Sequence, residues 1–253
     1  MALKYAVLFL TPLLSGLLVY LIPATRNSNF RLLLVFAGSY LFGITVIHIL
    51  PELYHQPVGM ELIGLFVLAG FFLQQVLEYF TSGIEHGHIH LQHEHGQQHQ
   101  AHHHRQVSAI VLLTALCLHA FLEGAMLAQP VHMGPHYDMN AILLGIALHR
   151  APAAFALMTV LAFQLGSKKE AIPSLVGFSL AAPLGLFISS YLSEIEILGS
   201  EGMIYLYALV SGNFLHISTT IVFESSPDHK FNARKLAVAI VGALLAVAVE
   251  YML

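Results

Sequence analysis

The sequence predicts an all-α, polytopic membrane protein with eight transmembrane helices, and three observations carry that prediction. Hydrophobic residues make up 57% of the 253 positions and Asp, Glu, Lys and Arg only 9%, where an ordinary soluble domain has about 25% charged residues. Mean hydropathy is +0.74, so lipid must serve as the solvent for most of the surface. Apolar runs of membrane-spanning length recur from one end of the chain to the other, and the basic residues between them fall on alternate connectors.

Crossing ~30 Å of hydrocarbon takes roughly 20 helical residues. The runs that meet this are about 2–22, 32–54, 59–81, 107–129, 139–164, 171–193, 203–225 and 234–252. The first holds Lys4 as its one charge and lacks a small-residue cleavage site, so it reads as a span and not as a removed leader. Most connectors are short and built from turn residues, as in Pro23 to Asn29, Gln56-Pro57, Gln129-Pro130 and Ser225 to Asp228. Only 82–106 is long, and it is polar and rich in histidine. The chain therefore reads as one transmembrane domain over 1–253, with 82–106 as a loop within it.

Charge tests the span count independently. With both termini on one side, the connectors 23–31, 82–106, 165–170 and 226–235 share the other side. They contain Arg26, Arg31, Arg105, Lys168, Lys169, Lys230, Arg234 and Lys235, eight of the ten basic residues. The opposite connectors carry Glu61, Asp138, Glu194, Glu196 and Glu201 instead. A Lys/Arg excess marks the cytoplasmic face. The expected arrangement has both termini outside a cell membrane (inner or plasma) and the 82–106 loop in the cytoplasm. The net charge of −4 gives no reason to expect a nucleic acid partner. Cys117 is the single cysteine, so no intrachain disulfide forms.

Ionisable groups inside a membrane cost several kcal/mol without a partner (about 2.5 at the least for a charge), so function is their default reading. The fourth span contains His119 and Glu123, four residues apart on one helical face. The fifth contains His149, followed by Arg150 and Pro152. Counted at 1.5 Å per residue, His119 and His149 both lie ~15–18 Å deep, near the midplane. A short loop joins these spans as antiparallel neighbours, so the side chains can meet. Two imidazoles and one carboxylate suit Zn²⁺ and also accept Fe²⁺, Mn²⁺ or Cd²⁺, with one coordination position left open. Pro152 leaves the Leu148 carbonyl without its helical donor and is expected to bend the helix beside His149. The competing reading is a structural hydrogen-bond network between packed helices. Cys117, two residues from His119, points to another side of its helix.

Other sites are less defined by sequence. His48 and Glu52, one turn apart near the outer end of the second span, read either as a metal-access site or as interfacial anchors. His216 in the seventh span reads as a coordinating or proton-relay group on the ion path, or as a hydrogen-bonding partner of Ser218 or a neighbouring helix. Glu78 and Glu224 lie where their side chains can reach water. Within the loop, His86, His88, His90, His93, His95, His99, His102, His103 and His104 make up nine of the seventeen histidines. A tract of that density suits capture of zinc, copper or nickel; the bland account is a solvated linker of biased composition.

Taken together, these residues resemble the ZIP (Zrt/Irt-like) family of metal transporters, over most of the chain. The second-span ending His48-Ile-Leu-Pro51-Glu52 is similar to the family's His-Leu-Leu-Pro-Glu-like element. His119 through Gly124 resembles its His-Asn/Ser-x-x-Glu/Asp-Gly, and His149-Arg150-Ala-Pro152 its His-Glu/Lys-x-Pro-Glu-Gly. Pro183-Leu-Gly185 resembles its sixth-span Pro-Leu-Gly, and Gly212-Asn-Phe-Leu-His216 its Gly-Thr-Phe-Leu-Tyr.

The resemblance implies a ZIP-like fold and uptake of Zn²⁺ or a similar ion into the cytoplasm. It further implies that spans one, four, five and six slide against spans two, three, seven and eight in a homodimer. Where many members hold two adjacent metals, this chain has Ala120, Arg150 and Ala153 in place of ligands. The implied site is therefore mononuclear, held by His119, Glu123 and His149, with Arg150 as a fixed charge replacing the second ion. Three rivals remain at this point. An exporter of the cation-diffusion type is expected to have six spans and a soluble C-terminal domain. A metal-dependent membrane hydrolase would need an acid–base group and a substrate cleft. A non-transporting metal sensor would share the same residues.

Overall fold

The computed structural model describes residues 1–21, 28–81, 109–128, 139–224 and 233–252. Among these residues the secondary structure is entirely helical: α1 (Ala2–Leu17, extended by a 3₁₀ turn Leu18–Tyr20), α2 (Ser28–Ile44), a π turn (Thr45–Ile49), α3 (Leu50–Tyr54), α4 (Met60–Thr81), α5 (Ala109–Met126), α6 (Met139–Gln164), α7 (Lys168–Glu194), α8 (Ser200–Glu224) and α9 (Ala233–Met252). Away from their ends, helices satisfy their backbone donors and acceptors internally, which is what hydrocarbon demands. Among the described residues, six segments are long and apolar enough to cross a membrane: Ala2–Tyr20, Leu32–Tyr54, Met60–Phe80, Ala109–Met126, Met139–Gln164 and Lys168–Glu194. α8 and α9 add 25 and 20 residues of helix. Large apolar side chains such as Leu65, Phe72, Val76 and Leu244 stand more than half exposed, a surface fitted to hydrocarbon. The 82–106 connector and its nine histidines lie outside the described residues, as do Arg26, Asp138 and Lys230.

Local chemistry sets the turns. Gly166 adopts φ +66°, the left-handed conformation that lets a helix end. Ser167 then caps α7, its Oγ accepting from the Glu170 amide at 3.4 Å. In the second span Pro51 has no amide to give the Ile47 carbonyl and crowds it. The backbone widens there, the Leu50 amide donating to Thr45 O, and His48 lies in the resulting π turn.

The helices form two groups. In one, α1 packs on α6 and α7, and α5 and α6 pack on α7; in the other, α4 packs on α8, and α2 packs on α8 and α9. The groups meet where α2 faces α6 and α4 faces α5. A core of Leu112, Leu116, Ala154, Leu157, Leu175 and Phe178 belongs to the first group. A second core, including Leu8, Tyr40, Ile44, Ile142, Leu186 and Tyr207, joins the two. Small residues let backbones touch: a Cβ on Gly124 would lie 1.9 Å from Ala182 O, and one on Gly185 2.0 Å from Phe121 O. Those contacts seat α5 against α7 with glycine facing backbone from both sides.

Candidate metal centre

α5 presents His119 and Glu123 from successive turns, with His119 Nε2 3.2 Å from Glu123 Oε1. α6 brings His149 to the same place, its ring perpendicular to that of His119 with centroids 6.0 Å apart. All three side chains are buried, and one ligand atom from each lies within 4.8 Å of the other two. Among the described residues, this is the one group of three or more His, Cys, Asp or Glu side chains within reach of a common ion. Imidazole and carboxylate atoms bind zinc at about 2.0–2.2 Å, and these three residues could hold one ion. Cys117 stands apart from it, half-buried beside the core of the first group.

α5 and α6 reach this point mainly through common neighbours, since α5 packs chiefly on α7 and α6 chiefly on α1. Gly124 places the Glu123 turn directly against α7. α6 stays helical through Pro152, and Ser15 of α1 donates a hydrogen bond to the adjoining Ala151 carbonyl.

Arg150 is fully within the protein, 2% exposed. Its Nη2 donates to Phe178 O at 3.1 Å, its guanidinium carbon lies 4.9 Å from the centre of the Phe178 ring, and its Nε is 4.0 Å from Glu123 Oε2. The carbonyl and the ring face, both on α7, hold the cation on the Glu123 side. A guanidinium remains charged at any accessible pH, so the carboxylate has a countercharge before any metal arrives. Ala120 and Ala153, beside this cluster in sequence, offer no ligand atom.

The remaining sequence candidates occupy separate places. His48 Nδ1 is 2.5 Å from Glu250 Oε2 of α9, while Glu52 Oε1 accepts from Gln56 Nε2 at 3.1 Å. His216 Nε2 is 2.5 Å from Glu78 Oε2 of α4, and the His216 ring meets that of Phe71 edge-on. Glu78 is thus engaged by a neighbouring helix and not only by water. The two pairs are built alike. Each joins a histidine to a Glu-Tyr dipeptide, Glu78-Tyr79 or Glu250-Tyr251, that follows Gly70 or Gly242 at the same spacing. Gly212 precedes His216 by four residues and Gly43 precedes His48 by five, a difference the π turn absorbs. Sequence reasoning had no role for Glu250; the repeated Gly and Glu-Tyr spacing is the signal that could have found it.

A family model described as ZIP zinc transporter matches residues 85–250. No curated protein matches the chain. The matched region runs through all three converging ligands and both helices that bear them, as well as α7, which supports the pair. Membrane-capable helices, a buried His–Glu–His cluster and this match agree on a membrane protein that transports divalent metal. The chain belongs to the ZIP zinc transporter family.

Proposed function

We propose that the protein takes up divalent metal, Zn²⁺ before Fe²⁺, Mn²⁺ or Cd²⁺, and delivers it to the cytoplasm through a single-ion site formed by His119, Glu123 and His149. The observation that carries this reading is the convergence of three buried ligand atoms from two helices. Two imidazoles with one carboxylate match the preference of zinc, and three protein ligands leave a position for water or an exchanging group. An ion held this way can be released, which a closed four-ligand site would resist. A catalytic zinc has the same open position, but family membership favours transport over hydrolysis.

In this reading α8 and α9 cross the bilayer along with the six apolar segments, giving eight spans with both termini outside. The α1, α5, α6 and α7 group moves the ion against the α2, α4, α8 and α9 group, and two copies of the chain form a dimer. Arg150 supplies the charge that a second ion would otherwise provide. The 86–104 histidines of the cytoplasmic loop capture or sense metal without lying on its path. His48 and His216 serve as helix-to-helix partners of Glu250 and Glu78, a role supported by their 2.5 Å contacts.

Zinc uptake into proteoliposomes tests the central claim. The parent should accumulate Zn²⁺, and His119→Ala, Glu123→Ala and His149→Ala should each reduce uptake at least tenfold while remaining folded. Parent-like uptake by all three variants would exclude this site.

A further inference from the structure

None of the three converging ligands comes from α1, yet this helix touches both elements that set the position of Arg150. It packs on α6 and α7, with Leu13 and Leu17 against the core that contains Ala154, Leu175 and Phe178. Ser15 and Gly16 lie between those leucines in sequence. Ser15 Oγ donates to Ala151 O of α6. Gly16 faces α7, where an added Cβ would come 2.4 Å from Leu175 Cδ1, so its bare backbone lets α1 lie close. Near its C-terminal end α1 is fixed along α7, since Lys168 Nζ donates to Val19 O at 2.8 Å and stands over the Tyr20 ring.

The bonded carbonyl belongs to the weakest turn of α6. Pro152 has no amide to give the Leu148 carbonyl, so the turn 148–152 lacks one of its own backbone bonds. His149 and Arg150 both stand on that turn. A helix bends most readily at a proline, and a bend here would swing the His149 ring and the guanidinium together. Ala151 follows His149 by two residues, about 200° around the helix axis. The Ser15 bond therefore braces the back of the turn while the ligand faces the other way. On α7 the same stretch of α1 abuts Leu175, about one turn before the Phe178 carbonyl that accepts from Arg150 Nη2.

We propose that Ser15 is a positioning residue for the metal centre. Its hydroxyl, bonded to the Ala151 carbonyl, fixes the Pro152 turn and so holds His149 and Arg150 in place beside Glu123. It touches neither the ion nor a ligand atom. Without the hydroxyl, the turn gains freedom that metal binding must remove again, and affinity falls although every ligand remains. The inference rests on reading His119, Glu123 and His149 as the metal site.

Calorimetric zinc titration of the full-length protein, run beside thermal melts, tests the two ideas separately. His149→Ala should remove the tightest binding component, and its survival there would sink the reading of the site itself. Ser15→Ala should keep that component but weaken it about three- to tenfold. Ser15→Cys, close in size but a weak donor, should show a loss in the same direction, whereas Ser15→Thr, which keeps a hydroxyl, should bind like the parent. Ser189→Ala is the control. It deletes a bond between other helices, from Ser189 Oγ to Met203 Sδ at 3.4 Å, and should leave zinc affinity unchanged. Parent-like affinity in folded Ser15→Ala or Ser15→Cys would overturn the proposal. An equal loss in Ser15→Thr or Ser189→Ala would overturn it as well, because affinity would then follow helix packing in general and not the hydroxyl at Ala151.

Discussion

Arg150 Nε stands 4.0 Å from Glu123 Oε2 while its Nη2 is held by the Phe178 carbonyl. The carboxylate that would bridge two metals thus faces a tethered cation. Two unit charges at ~4 Å interact by about 4 kcal/mol at an effective dielectric of 20, and a second divalent ion beside Arg150 would be repelled by roughly twice that. Purified protein should therefore bind one Zn²⁺ at this centre, seen as a single anomalous peak near His119 and His149. Two peaks bridged by Glu123 would show that the guanidinium yields.

Removing the cation should expose its contribution. Arg150→Met leaves Glu123 buried without its countercharge, which should cost the metal-free protein about 3–5 kcal/mol. Zinc should then stabilise the variant more than the parent, because the ion replaces the missing charge. Thermal melts with and without Zn²⁺ would show this as a larger metal-induced shift. An equal shift in both proteins would mean that Arg150 and the ion do not share the electrostatics of Glu123.

Gly124 carries a packing prediction. A methyl group there would overlap Ala182 O at 1.9 Å, and backbone on α7 cannot swing aside as a side chain would. Gly124→Ala should destabilise the protein by about 1–3 kcal/mol or more through overpacking and should weaken zinc binding, since Glu123 is its neighbour. Gly177→Ala is the control, as nothing lies within 4 Å of its added Cβ. If the two variants melted together, the close approach of α5 and α7 would be in error.

The Glu78–His216 pair should show coupling. Truncating either partner alone leaves the other part-buried without this partner and should cost about 1–3 kcal/mol. Changing both, as in Glu78→Leu with His216→Leu, should cost less than the sum by about 1 kcal/mol or more. Neither change should alter zinc affinity at His119 if the pair is a tie between α4 and α8. A loss of zinc binding with unchanged stability would instead return His216 to the ion path.

Deleting residues 86–104 should leave zinc uptake measurable while removing several weakly bound Zn²⁺ equivalents in calorimetric titration. The density of imidazole in that segment predicts the lost binding. Complete loss of transport from a folded deletion protein would place the loop on the path.

What the sequence alone determined is what depends on composition and local spacing. Apolar runs can be counted from residue type, and their helical form follows because hydrocarbon leaves the backbone no other partner. The span 139–164 coincides with α6, and most other ends differ from the observed helices by only a few residues. His119 and Glu123 could be paired because they are one turn apart, and His149 could be added because depth along a helix follows from residue number. Tertiary structure decided the rest. His48 meets Glu250 and His216 meets Glu78 between helices far apart in the chain, and the shared Gly and Glu-Tyr spacing does not by itself say which helices pair. Sequence put Arg150 beside the site, but only the carbonyl and ring of Phe178 orient it toward Glu123. The bonds from Tyr40 to the Ala141 carbonyl and from Tyr207 to the Ala128 carbonyl have the same origin. How far one helix slides along another is set by side chains meeting between segments, and neither segment records that offset on its own.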